Sequence, residues 1–300
     1  MLLALVGPTA SGKTRLGIRV AERLDAEVCS VDSMLVYRGM DIGTAKPTQA
    51  ERERMPHHLI DLADPGERFT VARFQREGHR VLPQVPRPLL VGGSGLYFRA
   101  LVDELALPPE DPGVRARLEA ELAEVGAGAM HERLVRSDPA AAAKIGPANA
   151  RRTVRALEVQ AVTGRAFSSF GRQWDRQDPS RVRAVGLAPD REDLVSRIGL
   201  RVREMLDRGW LDEVRALVER GFEDWFTSTQ AIGYAELAHY VTGDVSLDEA
   251  VDATVRRTKN LARRQLAWFR RDPRIRWIAS TGRAPESLTD EVASILDPIA

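Results

Sequence analysis

The sequence predicts an α/β fold in which helices flank a parallel sheet and an all-helical segment is inserted into the chain. Short apolar runs alternate with amphipathic helical patterns in residues 1–112 and again in residues 181–300, and this alternation is typical of parallel sheets. Two of the runs, 2–6 and 89–91, lead directly into glycine-rich turns that open helices. Residues 113–180 have helical periodicity without a strand pattern.

The first glycine-rich turn matches the phosphate-loop pattern G-x-x-x-x-G-K-S/T. The pattern is formed by Gly7, Pro8, Thr9, Ala10, Ser11, Gly12, Lys13 and Thr14. It follows an apolar strand and opens an amphipathic helix, so its backbone N–H groups and the positive end of that helix are expected to bind phosphate. Lys13 would contact the terminal phosphate oxygens, and the Thr14 hydroxyl would reach a Mg²⁺ ion. The prediction is a P-loop NTPase-like parallel sheet flanked by helices, and the loop alone does not identify the phosphate compound.

The other elements follow in order. Further strands are predicted at 26–31, 89–91, 181–187 and 274–278, and residues 57–62 are predicted as either a short strand or an extended crossing. Helices are predicted at 70–82, 190–208, 210–220 and 247–271. Prolines and acidic residues at 107–113 interrupt the core pattern. We therefore expect a first part of the core at 1–112, an inserted helical subdomain at 113–180 and a second part of the core at 181–300.

Two polar residues are expected where predicted strands end. Asp32 follows the second strand, and Ser94 lies in the second glycine-rich turn, Gly92–Tyr97. Ligands of parallel sheets bind at the carboxyl ends of the strands. A carboxylate beside a phosphate loop suits a cation or a nucleophile that loses a proton, although Asp32-Ser33 also fits a simple Asx turn.

Composition narrows the class of protein. The formal net charge is +1, so total charge does not indicate a nucleic-acid partner. The single cysteine, Cys29, fits a reducing compartment. The N-terminal apolar run is broken at Gly7-Pro8, and no stretch reaches the length of a membrane span. We expect a soluble, cytoplasmic protein without a membrane partner.

Several segments together resemble those of bacterial tRNA dimethylallyltransferases, in order and over nearly the whole chain. They are residues 7–14, 32–47, 56–61, 92–97, 155–158, 230–234 and 263–270. The segment 32–47 is far more specific than a phosphate loop alone. The resemblance implies transfer of a dimethylallyl group from dimethylallyl diphosphate to the N6 amine of an adenine beside the tRNA anticodon, with Mg²⁺ and release of diphosphate. It also implies a P-loop-like core with an inserted helical domain, and we expect a monomer.

The resemblance assigns roles to individual residues. Catalysis falls to Asp32 as the proton acceptor, with Ser94 and Lys13, and Thr14 would hold the metal. Diphosphate binding falls to Gly7, Thr9, Ala10, Ser11, Gly12, Lys13 and Thr14. Ser94 stands where threonine is more common in the family, and Gln230 stands where many members have a diphosphate-binding arginine, so another arginine is expected to replace that contact.

Contacts to the anticodon stem-loop of tRNA are expected from a larger set of residues. The set comprises Asp32, Ser33, Met34, Leu35, Arg115, Arg151, Arg152, Arg155, Gln230, Arg256, Arg263 and Arg264. Its arginines would contact phosphates without reading sequence. Without the resemblance, the same arginine clusters fit ordinary solvated helix surfaces.

Three alternatives remain open from the sequence. A P-loop kinase of a small molecule or nucleoside would share the phosphate loop and Asp32 as a base. Prenyl transfer to free AMP or ADP would use the same donor with a different acceptor. A nucleotide-binding or RNA-binding protein without chemistry would share the binding surfaces alone.

Overall fold

The computed structural model describes residues 1–103, 105–170 and 177–298. It divides the chain into two compact units, 1–104 with 178–300, and 105–177. The second unit begins eight positions before the predicted boundary at 113. The segment 108–111 belongs with it because Arg155 donates hydrogen bonds to the Pro108 and Pro109 carbonyls and Glu158 accepts the Asp111 N–H. Residues 171–176 of the predicted subdomain lie outside the described residues.

The first unit contains one six-stranded sheet in which every pairing is parallel. The strands are β1 (Leu2–Val6), β2 (Glu27–Ser30), β3 (His57–His58), β4 (Pro88–Gly92), β5 (Val182–Ala188) and β6 (Ile275–Ala279). Their order across the sheet is β3-β2-β4-β1-β5-β6. The predicted α/β fold class is confirmed. The segment predicted at 57–62 forms a strand of only two residues because Leu59 and Asp61 have positive φ angles of 63° and 54°, which end the extended conformation.

Helices of this unit cover both faces of the sheet. They are α1 (Lys13–Leu24), α2 (Gln49–Arg54), α3 (Val71–Val81), α4 (Gly95–Val102), α8 (Arg191–Asp207), α9 (Trp210–Val218), α10 (Tyr234–Val241), α11 (Leu247–Phe269) and α12 (Pro285–Leu296). Side chains of β1 alternate between two hydrophobic clusters. Leu3 and Leu5 pack with α1 and α12, whereas Ala4 and Val6 pack in the cluster that includes α4, α9 and α10.

The second unit is helical, as predicted. Its helices are α5 (Pro112–Ser137), α6 (Pro139–Lys144) and α7 (Ala150–Thr163). Gly126 interrupts α5 with φ 81°, and the two halves fold back on each other. Arg133 and Glu121 form an ion pair of 2.7 Å, although twelve residues of straight helix would separate them by about 18 Å. Leu118, Met130 and Leu134 form part of the apolar core of this unit.

None of the helices in the described part of the chain combines the length and apolar character that crossing a membrane requires.

Candidate active site

The topology brings three predicted features to one edge of the sheet. The phosphate loop follows β1, Asp32 follows β2 and Ser94 follows β4, and these three strands are neighbours in the order β2-β4-β1. The Ser94 N–H donates to the Val31 carbonyl at 3.1 Å, which fixes the turn after β4 beside the residue that precedes Asp32. The carboxyl ends of parallel strands are therefore the location of the candidate site.

The phosphate loop turns sharply into α1. Gly12 is the N-terminal cap of α1 with φ 85°, a left-handed conformation that favours glycine. Lys13 is half-buried, and its ammonium donates to the Pro8 carbonyl at 3.2 Å. The Thr9 N–H donates to Gln265 Oε1 of α11 at 2.8 Å, so this loop amide is occupied by a side chain rather than directed at open space. The loop is thus tied to the long C-terminal helix.

Three cavities meet at Arg201 of α8. A polar cavity of about 60 Å³ is lined by Thr9, Lys13, Thr14, Ser30 and Asp32 among other residues. An apolar cavity of about 100 Å³ shares Thr9 and Asp32 with it. A large cavity of about 470 Å³ shares Lys13 and Thr14 with it. Arg201 lines all three, and its positive charge interacts with both Lys13 and Asp32.

Two positively charged groups, the Lys13 ammonium and the Arg201 guanidinium, interact with Asp32. Burial lowers the pKa of Lys13 to about 8, with the Asp32 carboxylate opposing the shift and Arg201 adding to it. Burial also lowers the pKa of Arg201, again opposed by Asp32. Within the described residues, neither cation forms an ion pair within 4 Å. Two incompletely compensated cations beside a phosphate loop favour an anionic ligand.

Asp32 also forms the Asx turn considered from sequence. Its Oδ1 atom accepts the Met34 N–H at 2.9 Å. The side chain is half-buried and borders both the polar and the apolar cavity. The structural and functional interpretations of Asp32 are therefore compatible, because the turn holds one carboxylate oxygen and directs the group toward the cavities.

Of the other residues predicted for the site, some line these cavities and others do not. Met34 lines the apolar cavity and Leu35 the polar one. Ser33 is half-buried. Ser94 caps α4 without a side-chain capping bond and does not line these three cavities. Gln230 is exposed, and its amide donates to the Phe226 carbonyl at 3.1 Å, while the next two residues, Ala231 and Ile232, line the apolar cavity.

Arg201 was missed by the sequence analysis. The helix α8 buries Leu194, Ile198, Val202 and Met205, and Arg201 lies between them at helical spacing. An arginine placed on the apolar face of a helix was the signal that could have identified it, because such a group is buried only with a partner or a ligand.

Two of the arginines predicted to contact tRNA have internal partners instead. Glu158 of α7 is fully buried, and its carboxylate accepts hydrogen bonds from Arg115 at 2.5 Å and from Arg155 at 2.8 Å. The two guanidinium groups together compensate that buried charge. Arg155 is therefore partly buried beside Glu158, whereas Arg151 and Arg152 are exposed.

The three arginines predicted on α11 are exposed. Arg256, Arg263 and Arg264 lie on the solvent side of the helix, whereas Thr254, Thr258 and Leu261 line the apolar cavity. The helix therefore has one side at the candidate site and another that presents positive charge.

Glu213 of α9 holds the loop that follows Asp32. Its Oε2 accepts the N–H groups of Asp41 and Ile42 at 2.8 and 2.9 Å. Its Oε1 accepts the Gly43 N–H at 3.3 Å and the Tyr234 hydroxyl at 2.6 Å. Gly43 lines the apolar cavity, so this carboxylate fixes one of its walls.

Glu213→Gln is expected to loosen that wall. The new amide NH₂ would face backbone N–H donors, so at least one hydrogen bond is lost, and the free energy of unfolding should fall by about 1–3 kcal/mol. Urea unfolding measures the effect. Asp212→Asn, at an exposed neighbouring position, should change stability by less than about 0.5 kcal/mol. Equal stability of the two variants would remove Glu213 from this role.

The buried Lys46 side chain links residues of the same loop to each other and to Asp61. Its fully buried ammonium donates to the Tyr37 carbonyl and to Asp61, both at 2.6 Å, and pairs with Asp41. The loop Tyr37–Pro47 is thus built around a buried ion-pair network.

Comparison with known proteins places this geometry in context. Residues 35–272 match the model of the IPP transferase family. A tRNA dimethylallyltransferase of Kineococcus radiotolerans is 48% identical, with 100% of this chain and 97% of the relative covered. One from Thermobifida fusca is also 48% identical, over 92% of this chain and 89% of the relative. The first of these alignments covers the whole chain and so includes the phosphate loop, which lies before the family match.

Solved structures give the same result. A tRNA isopentenylpyrophosphate transferase from Bacillus halodurans superposes with a TM-score of 0.70 at 40% identity, covering 99% of this chain and 97% of that chain. A eukaryotic dimethylallyltransferase acting on tRNA superposes with a TM-score of 0.77 at 26% identity, covering 98% and 76%. The similarity therefore extends over sequence and fold.

Proposed function

This chain belongs to the IPP transferase family, and we propose that it transfers a dimethylallyl group from dimethylallyl diphosphate to the N6 amine of the adenine 3′-adjacent to the anticodon in tRNA, releasing diphosphate. The observation that carries the proposal is the pair of cations, Lys13 and Arg201, that line the polar cavity at the phosphate loop together with Asp32. This arrangement combines a site for an anionic leaving group with a base for the acceptor.

The diphosphate would bind in the phosphate loop. The loop residues from Gly7 to Thr14 would surround it, with Thr9 contributing through its position rather than its engaged N–H. Negative charge develops on the diphosphate as the allylic C–O bond breaks, and preorganised cations stabilise that charge. We assign Arg201 the contact that an arginine at position 230 would otherwise supply, because Arg201 lines the cavities beside Lys13 and Gln230 does not.

Asp32 would accept the proton of the adenine N6 amine as the new N–C bond forms. Oδ1 is already held by the Met34 N–H, so Oδ2 is the oxygen assigned to the proton. A positioned base of this kind contributes about 10²- to 10⁴-fold to the rate. Ser94 is retained as a hydroxyl donor to the diphosphate, on the strength of its position after β4.

The polar cavity suits a hydrated Mg²⁺ ion held mainly by substrate oxygens. Thr14 lines it, and the Ser30 hydroxyl in its wall is buried without a hydrogen-bond partner in the described part of the chain. Among the described residues, no cluster of three or more His, Cys, Asp or Glu side chains could hold a metal alone. When bound with the donor, Mg²⁺ would neutralise part of the diphosphate charge.

For tRNA we propose contacts from the exposed arginines. They are Arg151 and Arg152 in the helical unit and Arg256, Arg263 and Arg264 on α11. Arg115 and Arg155 are left out because they compensate Glu158. We further propose a cytoplasmic monomer, in keeping with a tRNA substrate and the buried, unpaired Cys29 thiol.

Arg264→Ala is expected to weaken tRNA binding and to reduce the slope of its salt dependence by about one unit, because one phosphate contact is lost. Filter binding across a salt series measures the slope. Arg80→Ala, at another exposed arginine, should leave it unchanged. Arg155→Ala should instead lower thermal stability, since it removes a partner of Glu158. A change confined to donor affinity would contradict the α11 assignment.

The donor distinguishes this proposal from a P-loop kinase. Dimethylallyl diphosphate labelled in its carbon chain should transfer label to tRNA without ATP. Strict dependence on ATP would favour a kinase.

Competition between unmodified tRNA and free AMP or ADP identifies the acceptor, and label found mainly in the free nucleotide would contradict the proposed substrate.

A further inference from the structure

The Gln265 side chain lies where three parts of the candidate site meet. Gln265 is half-buried and belongs to the C-terminal part of α11. Its Oε1 accepts the Thr9 N–H of the phosphate loop at 2.8 Å. Its Nε2 lies against the second glycine-rich turn, since a Cβ atom at Gly93 would approach it to 2.5 Å. Gln265 also lines the apolar cavity that Asp32 borders. The carboxamide therefore connects the phosphate loop to the space beside the proposed base.

The hydrogen bond to Thr9 determines which end of the carboxamide remains available. A backbone N–H can only donate, so the atom that faces Thr9 is the oxygen, and the NH₂ group is the opposite end. In the part of the chain that the structure describes, this NH₂ group forms no hydrogen bond. A partly buried amide donor without an acceptor favours a ligand that supplies one.

Packing around α11 holds the carboxamide in place. Gly93 leaves room for Nε2 that a side chain at this position would fill. Trp268, three residues after Gln265, packs against Gly95 of the same glycine-rich turn, because a Cβ atom there would collide with the indole. Phe269, the next residue along the helix, is fully buried. The NH₂ donor is therefore held in a defined position before a ligand binds.

The amine edge of adenine matches this pair of protein groups. Adenine presents its N6 amine as a donor between two ring nitrogens that accept hydrogen bonds, N7 on one side and N1 on the other. The Asp32 carboxylate can accept from the amine, and the Gln265 NH₂ group can donate to a ring nitrogen. Guanine carries the O6 acceptor in place of the amine, and two acceptors facing each other repel. An acceptor and a donor at this cavity therefore favour adenine.

We propose that Gln265 Nε2 donates a hydrogen bond to a ring nitrogen next to the N6 amine of the target adenine, and that this contact holds the amine at Asp32. The proposal rests on the proposed function, since it concerns the same acceptor. Gln265 takes no proton from the substrate and is a positioning residue that also determines specificity. Because its Oε1 remains bound to the phosphate loop, it aligns the base relative to the diphosphate site.

The test combines a change in the enzyme with a change of one atom in the substrate. Two tRNAs carry 7-deazaadenosine or 1-deazaadenosine at the target position, so that a C–H group replaces N7 or N1. For the unmodified protein, one of the two replacements should lower kcat/KM for tRNA by about tenfold or more, because the Gln265 donor loses its acceptor. The sensitive position identifies which ring nitrogen is bound.

Gln265→Met removes the donor and keeps the length of the side chain. In this variant the same replacement should cost about ten times less than in the unmodified protein, because no donor remains to lose its acceptor. Effects of the deaza bases on amine reactivity, and of the substitution on the phosphate loop, occur in both arms and cancel in the comparison. Gln49→Met, the same change at an exposed glutamine of α2, should keep the full loss.

Donor kinetics distinguish a contact to the base from a role in the phosphate loop alone. Gln265→Met releases the Thr9 N–H, so inhibition by inorganic diphosphate should not weaken. Equal losses on the deaza substrates in the unmodified protein and in folded Gln265→Met would overturn the proposal. A variant whose only change is a higher KM for dimethylallyl diphosphate would also overturn it and would assign Gln265 to the phosphate loop.

The proposed function and the role of Gln265 fail differently. Absence of prenyl transfer to ordinary tRNA by the unmodified protein would refute the proposed function. Transfer to ordinary tRNA with the same discrimination against deaza bases in every variant would refute the role of Gln265 alone.

Discussion

Asp32→Asn is expected to lower kcat by about 10²- to 10⁴-fold while leaving the tRNA dissociation constant unchanged. The asparagine oxygen can still accept the Met34 N–H, so the turn after β2 is preserved. The amide cannot accept the adenine proton, so the chemical step loses its base. Single-turnover measurements with saturating donor separate this step from binding.

Asp32→Ala gives the complementary result. It removes both the base and the acceptor of the Met34 N–H, so it should lose at least as much activity and some stability as well. Loss of activity in the alanine variant alone would assign Asp32 to the turn and remove it from the chemistry. Full activity in both variants would exclude any catalytic role.

Lys13 is expected to make donor use depend on pH above about 8. Its pKa in the free protein is lowered to about 8 by burial, so the ammonium loses its proton above that pH. The protonated form binds diphosphate, and kcat/KM for the donor should therefore fall as pH rises through about 8. Bound diphosphate favours the ammonium, so the decline in kcat should begin at higher pH.

Substitutions at Lys13 test that assignment. Lys13→Met should lower kcat by about 10²- to 10³-fold, the usual effect of losing one group that stabilises developing charge. Lys13→Arg keeps its charge throughout this range, so its residual activity should not fall above pH 8. A profile that falls equally in Lys13→Arg would show that another group controls it.

Local sequence patterns predicted one part of the site. The phosphate loop and Asp32 are recognisable because strand, turn and helix are consecutive in the chain. Ser94 follows β4, and the sheet order places β4 between β1 and β2. Short-range signals are sufficient where a site is built from strand ends.

The positions of Arg201 and Arg155 depend instead on tertiary contacts. Arg201 comes from a helix far along the chain, and its importance depends on α8 packing its apolar face toward the phosphate loop. Arg155 resembled a surface arginine by helical spacing, yet Glu158, three positions later, turns it inward. Neither outcome is visible without knowing which helix faces are covered.

The boundary of the helical unit illustrates the same limit. The sequence places Pro108 and Pro109 in the first part of the core, 1–112, within the proline-rich segment that interrupts its pattern. Their carbonyls instead accept hydrogen bonds from Arg155, which attaches this segment to α7. Amino-acid composition predicts where the core pattern is interrupted, at 107–113. It does not predict whether that segment packs with the core or with the helical unit.

Prenyl transfer to tRNA is tested most directly by the mass of the nucleosides released from tRNA after incubation with the protein, Mg²⁺ and dimethylallyl diphosphate. One adenosine should gain the mass of a C₅H₈ unit, and Asp32→Asn should slow that gain by about 10²- to 10⁴-fold. Adenosine of unchanged mass after incubation with folded protein and unmodified tRNA would contradict the proposed function.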